Sequence, residues 1–250
     1  MFRFGHVFGR LKWLNFYCAN SYSNCNKIVQ MIVARNMNFS LSEGRAGESI
    51  LENINLTIDK GAYLSVCGAE GSGKSSLLML LGLYERPSSG ELYFLGQDVS
   101  QMSNRRLETI RRGNIGYVGH RYTLLKGYDV VENMSLPLVY LNYGKSDRRR
   151  MVGRIMELLG IGHLSNLKVE DLNMLQVQLV TLGRAVVANP HLLIADEPTA
   201  MVNSRYVNDF MAALGLVNDQ GITVVHGTSS SYLADKAIRK IVLYDGHLIS

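Results

Sequence analysis

Cysteine is scarce in this chain: three in 250 residues, at 18, 25 and 67. Cys18, Cys25 and Cys67 show no metal-ligand spacing, and reduced thiols of a cytosolic protein are the simplest account. Residues 1–30 contain no stretch of about 18 continuous apolar residues, the length a membrane span needs. A clean secretory core with a cleavage site is missing as well. No repeat or low-complexity tract interrupts the chain. Charge is sparse too, at 19% of residues, and unevenly placed. Arg3, Arg10, Lys12 and Lys27 supply +4 of the net +5 within residues 1–30, leaving +1 for everything after them. A near-neutral body argues against a nucleic-acid surface, and no nucleic-acid partner is expected.

What is present is ordinary globular material. Hydrophobic residues make up 47% of the chain. Its length suffices for a full core, as one large domain or one domain with a subdomain. Residues 1–30 form a basic extension with Phe, Trp13 and Tyr interspersed. Three readings stand for it: an amphipathic arm on a membrane surface, a disordered segment, or a start of synthesis at Met31.

From residue 31 onward, strand and helix patterns alternate, as in an α/β domain. Met31–Ala34 and Ile50–Ile58 predict early antiparallel strands around a polar turn at Ser42–Gly47. Tyr63–Cys67 predicts a buried strand and Ser75–Leu81 a helix with an apolar face. Pro87–Gly90 reads as a turn before a strand at Glu91–Leu95, and Asn114–Val118 as another strand. Residues of about 120–175 change character, with helical patterns such as Arg149–Leu159 and no strand, as expected of an inserted helical subdomain. Strands return at His191–Ala195, Ile222–Val225 and Lys240–Leu243, the last followed by a tight hairpin turn at Tyr244–His247.

The densest chemical signal is Gly68-Ala69-Glu70-Gly71-Ser72-Gly73-Lys74-Ser75, with Ser76 following, set between a strand and a helix. Glycines at 68, 71 and 73 allow successive backbone N–H groups to converge where a Cβ would collide or φ must be positive. The helix's positive end adds to their attraction for a polyphosphate. Lys74 is placed to reach the β- and γ-phosphates, and Ser75 to put its hydroxyl on Mg²⁺. The alternative, an ordinary glycine turn, does not need Lys-Ser at this spacing. The second signal is Leu192-Leu-Ile-Ala-Asp196-Glu197, an apolar strand ending in two carboxylates. Asp196 is the candidate for holding Mg²⁺. Glu197 is the candidate base for the attacking water, because in-line displacement needs a proton acceptor opposite the leaving group. Together the two signals mark a nucleoside triphosphate site.

These residues resemble the ATP-binding subunits of ABC transporters over roughly residues 31–249. Asp196-Glu-Pro-Thr-Ala200, Arg184-Ala-Val-Val-Ala-Asn-Pro190, Val131-Glu-Asn-Met-Ser-Leu-Pro-Leu138, Pro87-Ser-Ser-Gly-Glu91 and Asp245-Gly-His-Leu-Ile249 carry the likeness. The nearest subgroup is that of lipoprotein-releasing, macrolide-export and FtsE-type cell-division ATPases. The resemblance implies a P-loop NTPase fold with an antiparallel β subdomain and an inserted α-helical subdomain. It further implies ATP and Mg²⁺ as ligands and a cytoplasmic ATPase peripheral to the inner face of the membrane. A head-to-tail homodimer or heterodimer would drive transmembrane permease subunits, each ATP lying between one protomer's P-loop and the other's signature loop.

Several family positions are altered. The signature Leu-Ser-Gly-Gly-Gln corresponds to Leu172-Asn173-Met174-Leu175-Gln176, whose bulky Met174 and Leu175 stand where close backbone approach is needed. Asn173 keeps a hydrogen-bonding side chain there. The glutamine that contacts Mg²⁺ and water aligns with His120, the switch histidine with Ser229, and the dimer-loop aspartate with Asn203. His226 is expected at a strand end and does not inherit the switch role. The aromatic that stacks on adenine aligns near Leu41, with Phe39 the nearby substitute. Losing one preorganised charge-stabilising donor costs about 3–4 kcal/mol in the transition state, so weakened catalysis is expected while binding persists. Two hypotheses follow: a slow ATPase, motivated by Glu197, and a pseudo-ATPase that binds nucleotide as a regulatory or scaffolding subunit. A GTPase lacks its guanine-reading Asn-Lys-x-Asp motif here, and a DNA-repair ATPase lacks its long coiled-coil insertion.

Overall fold

The computed structural model describes residues 29–40, 49–119 and 124–249. The Ser42–Gly47 turn, His120, Leu41, Cys18, Cys25 and residues 1–28 of the basic extension fall outside the described residues. In chain order the strands are β1 (Gln30–Ser40), β2 (Ser49–Asp59), β3 (Tyr63–Cys67), β4 (Ser89–Phe94), β5 (Gln97–Asp98), β6 (Ile115–Gly119), β7 (Leu192–Asp196), β8 (Thr223–Thr228), β9 (Arg239–Tyr244) and β10 (His247–Leu248). The α-helices are α1 (Lys74–Leu81), α2 (Asn104–Asn114), α3 (Val130–Tyr140), α4 (Lys145–Leu158), α5 (Met174–Val186), α6 (Val207–Asp219) and α7 (Ser231–Ala234).

Two sheets result. One is antiparallel, in the order β2-β1-β4-β5; the other is six-stranded, in the order β10-β9-β3-β8-β7-β6. In the second sheet every pairing is parallel except the β9–β10 hairpin. Parallel strands covered on both faces are apolar at every position rather than at alternate ones, and β7 shows why. Leu192 and Ile194 enter a core shared with α1 and the antiparallel sheet. Leu193 and Ala195 enter the opposite core, built with the helices from α3 to α6. The P-loop and the end of β7 therefore sit at the carboxyl edge of a sheet locked from both sides, where open α/β sheets bind ligands.

The helical region begins with α3, whose N-terminus carries a capping box between Asp129 and Glu132, two orphan amides being satisfied reciprocally. Helical structure continues past residue 175, because α5 runs on to Val186 and packs on α3. Some sequence expectations shift. The strand expected at Glu91–Leu95 stops at Phe94, and Leu95 turns at φ +51°. Phe39 is buried in the core between the sheets at 6% exposure, so it cannot stack on a base. His226 lies within β8 rather than at its end and is wholly buried.

Candidate functional site

Strand β3 delivers the chain to Gly68, whose N–H donates to Thr228 O of β8 at 3.3 Å. The loop then closes on itself through Ser72 N–H to Ala69 O at 3.2 Å. Gly71 and Gly73 take φ of +81° and +96°, the left-handed region that glycine enters without penalty. Space matters as much as conformation. A Cβ on Gly68 would lie 2.3 Å from Leu243 O, and one on Gly73 would lie 2.9 Å from Leu51. Gly73 is also the residue before α1, and its carbonyl accepts the first helical bond, from Leu77 N–H, at 2.9 Å.

Lys74 opens α1 but bends back over the loop. Its Nζ donates to Gly68 O and Ala69 O, both at 2.8 Å. The ammonium also stands 3.9 Å from Glu197 Oε1, with the Lys74 side chain 7% exposed. Glu197 follows β7 and is held by its own N–H donating to Gly227 O at 3.0 Å. Its φ is +44°, a left-handed conformation that costs a non-glycine residue roughly 1–2 kcal/mol. Such strain concentrates at functional sites, and no pattern in the sequence announces it.

Asp196, at the end of β7, is 3% exposed. Tyr117 Oη donates to its Oδ2 at 3.3 Å, while Oδ1 is buried with no partner among the described residues. The tyrosine reaches it because Gly119 carries no side chain; a Cβ there would lie 2.7 Å from the Tyr117 ring. Ser72 Oγ is likewise buried and unpartnered. A buried carboxylate oxygen and a buried hydroxyl left unmatched cost stability unless something else meets them. Beside a cradle of amides and an ammonium, that donor set fits a phosphate chain with a hard cation.

These groups open into one cleft of about 780 Å³. Glu70, Gly71, Gly73, Lys74, Ser75 and Ser76 line one wall, and Glu197 and Ser229 the other. Gly68, Ala69, Ser72 and Asp196 lie beneath or beside it. Sequence reasoning missed Thr199, Ser204, Thr228 and Ser230 in the lining, and Tyr117 behind Asp196. The missed polar lining follows directly on motifs already recognised, so adjacency was its only signal. Asn203 stands next to the lining and accepts from Arg205 N–H at 3.2 Å, starting a turn of 3₁₀ helix. Leu172–Gln176 do not join this cleft. They lead into α5, which Asn173 caps: its Oδ1 accepts from Gln176 N–H at 3.1 Å and Gln176 Oε1 accepts from Asn173 N–H at 2.9 Å. Met174 is exposed there.

Fold and site together define a P-loop α/β nucleotide-binding protein. Comparison with known proteins narrows the class. The profile of the ABC transporter family matches residues 51–200. The ABC transporter ATP-binding protein MJ1508 of Methanocaldococcus jannaschii is 34% identical over 219 residues, which cover 88% of this chain and 98% of that protein. The macrolide export ATP-binding/permease protein MacB of Azoarcus sp. is 34% identical over 211 residues, but the match covers only 32% of its length. Among solved structures, the dimeric bacterial ABC transporter cassette MJ0796 superposes with a TM-score of 0.79 at 30% identity, covering 88% of this chain and 97% of that one. The same cassette in a post-hydrolysis state with ADP and Pi gives 0.78. The chain belongs to the ABC transporter family and is an ABC-type ATPase by fold and site. Among the described residues no helix is long and apolar enough to cross a membrane.

Proposed function

We propose that this chain is the ATP-binding subunit of an export-type ABC transporter, binding MgATP and hydrolysing it slowly to drive transmembrane permease subunits. Its ATP-binding domain runs over residues 31–250, with a helical subdomain at about residues 120–175, and residues 1–30 are an extension. The subunit sits at the cytoplasmic face of the membrane. It acts as a dimer, with a second copy or with a related ATP-binding subunit, as the dimeric cassette structures support. The likeness to an ATP-binding/permease protein supports the permease partner.

One observation carries the reading: Lys74 Nζ and Glu197 Oε1 face each other at 3.9 Å across the P-loop cleft. The amides of Gly68–Ser76 would cradle the phosphates, and Lys74 would exchange its carbonyl partners for phosphate oxygens. Ser75 and Asp196 would hold Mg²⁺, which when bound offsets the charge on the phosphate oxygens. Glu197 would orient a water and accept its proton. His120, Met174, Leu175, Asn203 and Ser229 stand where the family carries other residues, and these departures support slow turnover. The test is steady-state phosphate release by the complex with its permease, comparing wild type with Glu197→Gln. Turnover is expected in the wild type and not in the variant, with ATP affinity retained; equal rates would remove the support for hydrolysis here.

A second reading, a nucleotide-binding regulatory subunit without turnover, is favoured by the start of α5. There Asn173 Oδ1 is committed to the chain's own Gln176 N–H, leaving a poor anion clamp. That reading expects Lys74-dependent ATP binding with no phosphate release beside the permease.

A further inference from the structure

Strand β6 lies at the edge of the six-stranded sheet, with Gly119 opposite Asp196 in its register with β7. Side chains two residues apart share a strand face, so Tyr117 and Gly119 belong to the same side of β6. The Tyr117 ring leans forward over the glycine: a Cβ on Gly119 would lie 2.7 Å from its Cε1 and 3.3 Å from its Oη. No left-handed backbone requires a glycine there. Glycine weakens a strand, and often marks a site of close approach. Here it opens the passage by which the Tyr117 hydroxyl reaches Asp196 Oδ2, donating at 3.3 Å. The ring is braced from behind. It meets the Tyr84 ring edge-on, with centroids 5.3 Å apart and planes at 73°. Arg111 lies over the Tyr84 ring at 4.7 Å and donates to Leu83 O. On the opposite face of β6, a Cβ on Gly116 would stand 2.4 Å from Ala185 O of α5. Packing on both faces therefore fixes the strand that carries the tyrosine. The carboxylate is confined as well, because Asp196 Oδ1 lies 3.6 Å from where a Cβ on Gly227 of β8 would be.

We infer that Tyr117 is a positioning residue for the divalent cation. By donating to Oδ2 it fixes the rotation of the Asp196 carboxylate and reserves Oδ1 for the metal. Gly119 belongs to the same device, since a side chain there displaces the ring. This inference rests on the MgATP site proposed above. Carboxylates that hold a metal are hydrogen-bonded in turn, and losing such an outer partner weakens metal binding by about tenfold to a hundredfold. A hydrogen bond of 3.3 Å is long, so the low end of that range applies.

The test is the ratio of two ATP affinities of the full chain, Kd in EDTA over Kd in excess Mn²⁺. It is measured in wild type, Tyr117→Phe, Gly119→Ala, the double variant and Asp196→Asn. Mn²⁺ stands in for Mg²⁺ because its EPR spectrum reports the surroundings of the bound ion. Tyr117→Phe keeps the ring against Tyr84 and is expected to lower the ratio about tenfold. Its Kd in EDTA should not change, and the spectrum of its bound Mn²⁺ should. Gly119→Ala should do the same with the hydroxyl still present, and the double variant no more than either single one. Asp196→Asn should lower the ratio at least as far. A merely structural role for Tyr117 would move both Kd values together, and that result overturns the inference. So does a Tyr117→Phe ratio within about twofold of wild type while Asp196→Asn lowers it. If Asp196→Asn also leaves the ratio unchanged, the cation role of Asp196 falls and the inference with it. Failure of ATP to bind wild-type protein in either medium would overturn the phosphate site itself.

Discussion

Gly246 N–H donates to Ser72 O at 3.2 Å, tying the turn between β9 and β10 to the middle of the phosphate loop. The same glycine's carbonyl accepts from Glu52 N–H at 3.0 Å. One residue thus staples the loop to β2. Asp245 and Gly246 have φ of +45° and +75°, the pattern of a two-residue type I′ hairpin turn. A Cβ on Gly246 would stand 2.5 Å from Ile50 O. Gly246→Ala is therefore expected to destabilise the protein by about 2 kcal/mol or more, through left-handed strain plus a backbone clash. Denaturant titration would show it, and MgATP affinity should fall with it because the loop's support moves.

Lys74→Ala removes a nearly buried ammonium from beneath the cleft. Truncating one partner of a buried charge contact costs about 2–5 kcal/mol, and MgATP affinity measured by calorimetry should fall accordingly. Overall stability should change far less, since the carbonyls of Gly68 and Ala69 that Lys74 contacts can turn to water in the open cleft.

Glu197→Gly should separate stability from activity. Glycine adopts φ of +44° without strain, which offsets the lost contact with Lys74, so the variant is expected to keep its stability within about 1 kcal/mol while losing phosphate release. A variant that keeps turnover would remove Glu197 from the chemistry.

Buried His226 sets a pH dependence. Burial holds its imidazole down at about 4, against an ordinary 6.5, with the Leu233 backbone opposing this only weakly. Its ring meets Tyr63 edge-on at 5.5 Å, and neither ring nitrogen has a well-formed hydrogen bond. Below its ordinary value the unfolded chain binds a proton that the folded chain refuses. Stability is therefore full above pH 6.5 and is lost as pH falls toward 4, by up to about 3 kcal/mol. His226→Leu should flatten that part of the stability profile. Tyr63→Phe removes a buried hydroxyl with no partner among the described residues and should be neutral or stabilising at neutral pH.

The strand–loop–helix at 63–81 and the carboxylates at 196 and 197 were legible because local pattern and chemistry coincide there. The hairpin at 244–247 was legible for the same reason: its turn residues dictate its geometry. Its attachment to Ser72 was not, because that contact joins opposite ends of the domain. Helix α2 escaped notice because Asn-Arg-Arg-Leu-Glu-Thr-Ile-Arg-Arg-Gly-Asn buries only Leu107 and breaks at Gly113, φ +81°. Phe39 misled because burial within a strand pairing cannot be read from proximity to a loop. The backbone conformation of Glu197 is set by β7 ending against β8, a tertiary fact with no sequence signature.

The hairpin staple has a consequence for biosynthesis. The glycine-rich loop leaves the ribosome early, yet the turn that braces it is made almost a whole domain later. Contacts so distant in sequence close late and slowly. The nascent chain should therefore display its most recognisable motif long before that motif can grip a ligand. Nucleotide capture then reports completion of the domain rather than appearance of the loop.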